Sequence, residues 1–194
     1  MRLKWIRRIV PNFLSCARII LGISFSFLLD RYCSDLIMHG EVYLFILFLV
    51  ILLSDISDGF LARAWHVESY EGAVLDVCAD SVYIFSAYFV LNVHRILPIW
   101  FTIAIILKLI EFSVTSKVIQ YSEEKTRFPF LFDLIGRIAS GGYFVLPGFI
   151  LFLLRQGETS RIRLVIFTLI LLTLISSFMR ISSTLFQFNT KQEK

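Results

Sequence analysis

The sequence predicts an all-α integral membrane protein, with six transmembrane helices in a bundle and an amphipathic amino-terminal helix at the interface. Three observations carry this reading. The 194 residues are 57% hydrophobic, above the apolar share of an ordinary soluble domain. The apolar residues gather into six runs of roughly 20 residues, the length at which a helix crosses the hydrocarbon core. The connections between runs are short, so an up-and-down helical bundle is the simplest topology, and a helix satisfies its own backbone groups in lipid.

The first element is the segment 1–10, where Leu3, Trp5, Ile6 and Ile9 stand beside Lys4, Arg7 and Arg8. Such a segment lies at the headgroups with its bases toward anionic lipid. Pro11 follows without a small-residue cleavage site, so the start does not read as a cleaved signal peptide. Spans are expected at 12–30, 42–62, 73–93, 96–118, 131–154 and 162–187. The whole chain, 1–194, then reads as a single membrane-embedded domain, with no length left for an additional soluble one.

The net charge of +4 is dispersed along the chain, which does not make a nucleic-acid footprint. Its loop distribution predicts orientation instead. With the amino terminus in the cytoplasm, that side gathers Arg7, Arg8, Arg63, Lys117, Lys125 and Arg127, while Arg31, Arg95, Arg155, Arg161 and Arg163 lie opposite. Cys16, Cys33 and Cys78 have no metal-ligand spacing and read as buried small hydrophobes. His39 and His94 fall in outer loops with no partner in view, and His66 reads as an exposed loop residue.

Chemistry concentrates between the second and third spans, in the stretch DISDGFLARAWHVESYEGAVLDVCAD beginning at Asp55. Helix positions three or four apart share a face. Asp55 and Asp58 therefore project together from the end of the second span, and Asp76 and Asp80 from the start of the third. Carboxylates at this depth are expensive unless paired, hydrated or bound to an ion. Four in one place call for a hard, oxygen-seeking cation such as Mg²⁺, Mn²⁺ or Ca²⁺. Gly59, Ala62 and Gly72 let a ligand approach the backbone closely, and Arg63 offers a planar cation suited to phosphate oxygens.

At these residues the chain resembles the CDP-alcohol phosphotransferase family, whose signature is D-x-x-D-G-x-x-A-R, eight residues, then G-x-x-x-D-x-x-x-D. Asp55, Asp58, Gly59, Ala62, Arg63, Gly72, Asp76 and Asp80 fill every fixed position. Pro11-Asn12-Phe13-Leu14-Ser15, with Arg18 one turn on, is similar to the family's opening P-N-x-L-T/S-x-x-R. The resemblance implies an integral membrane enzyme of phospholipid biosynthesis that replaces CMP on a CDP-linked donor by an alcohol. It implies metal ligation by Asp55, Asp58 and Asp76, with Asp80 as general base and further ligand to Mg²⁺ or Mn²⁺, two ions in all. It further implies a CDP site formed by Asp55, Asp58, Gly59, Ala62, Arg63 and Gly72 with Asn12 and Ser15, and a homodimeric enzyme. The expected donor is CDP-diacylglycerol, entering from membrane lipid, and the expected active site faces the cytoplasm of a bacterial-type plasma membrane.

Lys108, Lys117, Arg137 and Arg180 interrupt or border later spans. Each has a structural reading: Lys108 pairs with Glu111 three residues on, and Arg180 snorkels to the interface. Together they have a functional one, an anion pocket for a phosphorylated acceptor such as glycerol 3-phosphate or inositol phosphate. Gly136-Arg137-Ile138-Ala139-Ser140 is similar to the family's G-K/R-x-x-T/S element. Phosphatidylglycerophosphate synthases commonly read D-P-x-x-D-K, whereas this chain reads Asp76-Val77-Cys78-Ala79-Asp80-Ser81, so serine- and inositol-using branches resemble it as well. Transfer from a soluble CDP-alcohol to diacylglycerol is the alternative use of the same site. A cation transporter is the non-enzymatic rival, since intramembrane carboxylates also mark ion pathways. It predicts duplicated or inverted halves, which the sequence does not display.

Overall fold

The computed structural model describes the backbone at residues 2–36, 40–65, 67, 69–122, 134–156 and 159–192. The described residues form helices: α1 (Arg2–Cys33), α2 (Gly40–Ala64), α3 (Tyr70–Val93), α4 (Ile99–Ser122), α5 (Leu134–Arg155) and α6 (Thr159–Gln192). Among the described residues, five stretches are long and apolar enough to cross a bilayer: Asn12–Cys33, Gly40–Ala64, Tyr70–Val93, Ile138–Arg155 and Ser160–Ser182. Their outward faces carry large apolar residues such as Phe27, Phe89, Phe167 and Phe178, as lipid-facing helices require.

One boundary differs from expectation. The amphipathic start and the first span were expected as two segments, but the backbone of α1 runs through Pro11 without interruption. Proline's fixed φ is compatible with helix, although its ring removes one i→i−4 hydrogen bond and crowds the carbonyl four residues back. The short helix is therefore an extension of α1.

The chain divides into two compact units. The first comprises Met1–Leu97 and Pro147–Phe152, and in it α1 packs against both α2 and α3. A Cβ added to Gly22 would lie 3.0 Å from Tyr83 Cβ and 3.1 Å from its Cα, so α1 and α3 approach as closely as their backbones permit. The Tyr83 ring meets Phe25 edge-on at 5.5 Å, and Ser26 Oγ donates across the helices to Ser86 Oγ at 2.8 Å. Polar groups bridging helices in this way stabilise association in lipid by roughly 0.6–2 kcal/mol each. A Cβ on Gly148 would meet the Phe48 ring at 2.6 Å, another contact that only glycine admits.

At the other end of this unit His94 has a partner, contrary to the sequence reading. It caps α3, and its Nε2 lies 2.9 Å from Asp30 Oδ1 on α1. The pairing joins residues 64 apart in sequence, a relation set by how α1 and α3 pack rather than by local pattern.

The cysteines also depart from expectation. Cys16 and Cys78 are exposed and Cys33 is half-buried, all three free. A thiol on a membrane helix can be shielded by lipid, so an apolar preference no longer demands burial in protein.

The second unit comprises Pro98–Leu146 and Leu153–Lys194. Here α4 packs on α6, Phe101 meets Tyr143 edge-on at 6.5 Å, and the Tyr143 hydroxyl hydrogen-bonds Thr173 Oγ1.

Candidate active site

The C-terminal end of α2 and the N-terminal end of α3 both face α1, which packs against each of them. Trp65 N–H donates to Leu61 C=O at 3.0 Å and Val67 N–H to Ala62 C=O at 3.1 Å, which closes α2. Ser69 then caps α3, its Oγ accepting from Gly72 N–H at 3.1 Å. A Ser N-cap with an acid in the first turn, here Glu71, is a strong helix start. Ser69 is legible as a cap in the sequence, a serine just before an apolar helical run with an acid two positions on.

The four aspartates converge on the guanidinium of Arg18. Its Nη1 lies 2.9 Å from Asp55 Oδ1, 2.8 Å from Asp76 Oδ1 and 2.6 Å from Asp80 Oδ1. Nη2 pairs with Asp58 Oδ2, and Nε donates to Ser54 Oγ at 3.4 Å. Arg18 is completely buried and Asp58 is 4% exposed, while Asp55, Asp76 and Asp80 remain 32%, 39% and 32% exposed. Asp58 thus floors the site, and the other three form its accessible rim.

Oxygens of Asp55, Asp76 and Asp80 lie within 4.8 Å of one another, a spacing that could hold a metal ion. At that separation two unit charges repel by roughly 3 kcal/mol for the effective dielectric of a protein near its surface. Four carboxylates against one guanidinium leave three negative charges in excess. Asp58 Oδ1 is buried and accepts no hydrogen bond among the described residues, an acceptor that needs a partner. Hard anionic oxygens, close spacing, excess charge and an orphaned acceptor together fit a divalent cation.

Around this cluster stand other residues singled out from the sequence. Ser15 Oγ donates to Asp58 Oδ2 at 3.3 Å. A Cβ on Gly72 would lie 3.2 Å from Asn12 Oδ1 and 3.0 Å from Ser69 Oγ, so the missing side chain lets α1 meet the start of α3. The Arg63 guanidinium is 3.5 Å from where a Gly59 Cβ would be and is itself exposed, and Ala62 is half-buried one residue before it. Arg18 is the functional residue that the sequence reading left out of its site. The signal was present: a lone arginine inside an apolar span must find counter-charge.

The cations expected to bind an acceptor belong to the second unit. Lys108 Nζ pairs with Glu111 Oε2 at 3.1 Å and donates to Ser177 Oγ at 3.0 Å. Ser177 Oγ donates in turn to the same Glu111 oxygen. Arg180 is buried, with Cζ 4.6 Å from the centroid of the Phe112 ring and Nη2 donating to Phe112 C=O at 3.4 Å. Its guanidinium packs on protein rather than reaching for an interface. The side chains of Lys117 and Arg137, together with His39 and His66, lie outside the described residues.

Two comparisons with known proteins bear on this geometry. The family model described as CDP-alcohol phosphatidyltransferase matches residues 8–178. A CMP-forming cardiolipin synthase of Streptomyces coelicolor is 43% identical over 54 residues, which cover 28% of this chain and 25% of that protein. The match therefore spans a quarter of the curated relative's length.

Proposed function

Because the chain belongs to the CDP-alcohol phosphatidyltransferase family, a family of membrane enzymes, we propose that it transfers the phosphatidyl group of CDP-diacylglycerol to an alcohol hydroxyl, releasing CMP at the cytoplasmic face. The convergence of Asp55, Asp58, Asp76 and Asp80, from the ends of α2 and α3, on Arg18 of α1 carries this reading. Divalent ions, Mg²⁺ or Mn²⁺, held by these four residues would neutralise diphosphate oxygens and stabilise the charge that develops on the leaving CMP.

The chain's own groups supply the rest. Asp80 accepts the proton of the acceptor hydroxyl as its oxygen bonds to the lipid-bearing phosphorus and the phosphorus–oxygen bond to CMP breaks. Arg63, exposed beside Gly59, holds phosphate oxygens through planar, charge-assisted hydrogen bonds. Gly59, Ala62 and Gly72 leave the backbone accessible to the nucleotide, with Asn12 and Ser15 completing its site from α1. A transporter reading has less support, since the family match covers residues 8–178 and an ion pathway needs no Gly-x-x-Ala-Arg element.

For the acceptor, the first reading is a small polar alcohol such as glycerol 3-phosphate, inositol phosphate or serine. The Lys108–Glu111 pair weighs against Lys108 as a phosphate anchor, because a bound phosphate would have to break it. The cardiolipin-forming activity named for the Streptomyces coelicolor relative favours a second reading, in which a phospholipid headgroup carries the hydroxyl. Labelled CDP-diacylglycerol, offered with each small alcohol and with phosphatidylglycerol, distinguishes them by the mass of the labelled lipid product. A labelled lipid formed with one acceptor, together with stoichiometric CMP, is the expected result. Hydrolysis to phosphatidic acid with every acceptor would contradict the transferase assignment.

A further inference from the structure

Arg18 sits where a bound cation belongs. The three oxygens it meets through Nη1, at 2.6–2.9 Å, come from Asp55, Asp76 and Asp80, the residues whose oxygens cluster within 4.8 Å. Hard cations take such oxygens at about 2.0–2.6 Å, so a metal ion and this nitrogen cannot share the space between them.

We propose that Arg18 is an internal counter-cation that competes with a divalent ion for the same three carboxylates, and that the ion enters by displacing its guanidinium. This rests on the reading that the aspartates hold a divalent ion.

Three observations support the exchange. Nη1 carries two hydrogens yet faces three carboxylates, so it cannot satisfy all of them, whereas an ion with several coordination positions can. Asp58, which binds Nη2 through Oδ2, keeps its buried Oδ1 without a hydrogen bond, so the arginine leaves an acceptor unused. Arginine does not deprotonate in proteins, which means its charge must leave the centre as a charge. Ser54 Oγ, 3.4 Å from Nε, is an uncharged partner and offers the guanidinium little.

The displaced guanidinium needs an anion, and the diphosphate of the donor supplies one in bidentate form. Metal and nucleotide binding are then coupled: each favours the state in which Arg18 has left the carboxylates. The site stays intact without metal, held against its own repulsion, and commits to metal when substrate arrives.

The test uses the full-length protein in lipid nanodiscs and reads arginine modification by phenylglyoxal, peptide by peptide, during a Mn²⁺ titration followed by electron paramagnetic resonance. Arg18 paired with the aspartates is buried and should resist modification in chelator. Saturating Mn²⁺ should raise its modification rate at least tenfold, and CDP added with Mn²⁺ should restore protection. In parallel, Arg18→Gln should bind Mn²⁺ at least tenfold more tightly than the wild type in the absence of CDP. Unchanged protection of Arg18 in the Mn²⁺-loaded wild type overturns the proposal, as does equal or weaker Mn²⁺ binding by a folded Arg18→Gln. If that variant does not fold, the wild-type labelling decides alone. Failure of the wild type to bind Mn²⁺ with or without CDP would overturn the divalent-ion reading itself, and the exchange with it. Mn²⁺ binding with Arg18 still protected would overturn only the exchange.

Discussion

Asp58 and Asp80 contribute the same carboxylate to one cluster, but burial separates them. At 4% exposure Asp58 cannot meet an incoming hydroxyl, whereas Asp80 at 32% can. Replacement of Asp80 by Asn should therefore lower kcat for CMP release by roughly 10²–10⁴-fold, the usual contribution of a general base, while the KM for donor changes little. Steady-state CMP release checks this, and a kcat within a few fold of wild type would remove Asp80 from that role. The aspartates were legible in the sequence because spacings of three and four residues fix a shared helix face. For Arg18 the need for counter-charge was legible, but not its partners, because the cation facing the cluster depends on how α1 is rotated against α2 and α3. Spacing within α1 carries no such information.

Among the elements, the contact of α1 with α3 sets the site. Gly22 lies one turn beyond Arg18, and Tyr83 lies one turn beyond Asp80. Their close approach therefore adjoins the Arg18–Asp80 pair. Gly22→Ala would drive a Cβ to 3.0 Å from Tyr83 Cβ and 3.1 Å from its Cα, where a backbone rather than a flexible side chain must yield. Overpacking of this kind costs about 1–3 kcal/mol, so the apparent melting temperature in nanodiscs should fall and CMP release with it. A variant with wild-type melting and turnover would show that the approach is not tight.

In the second unit, Lys108→Met removes the cation beside the Glu111 carboxylate, which keeps the Ser177 Oγ hydrogen bond, and should cost up to about 3–5 kcal/mol, as breaking a buried pair does. Lys108→Met combined with Glu111→Gln should recover much of the loss. A double-variant cycle by thermal unfolding measures that coupling; additive losses would contradict it. The five stretches apolar enough to cross a bilayer were readable from hydropathy. The continuity of α1 through Pro11 and the Asp30–His94 and Ser26–Ser86 pairs were not, since each depends on which helix faces which.

At the scale of the whole molecule, lipid replaces protein as the partner of most outward side chains, which is why the free cysteines need no burial. The polar centre then stands out as an energetic liability, only partly offset by the one guanidinium of Arg18 that faces four carboxylates. A ligand that binds only the folded state stabilises it in proportion to the logarithm of its concentration. Mn²⁺ or Mg²⁺ at tens of times its dissociation constant should accordingly raise the apparent melting temperature by several degrees, whereas Na⁺ at equal ionic strength should not. The most direct test of the central claim is CMP release from CDP-diacylglycerol by the purified full-length protein, with its acceptor present, across a titration of divalent cation. The account predicts release that vanishes in chelator, returns with Mg²⁺ or Mn²⁺, and is not restored in Asp76→Asn at any metal concentration. Undiminished release in excess chelator would contradict it.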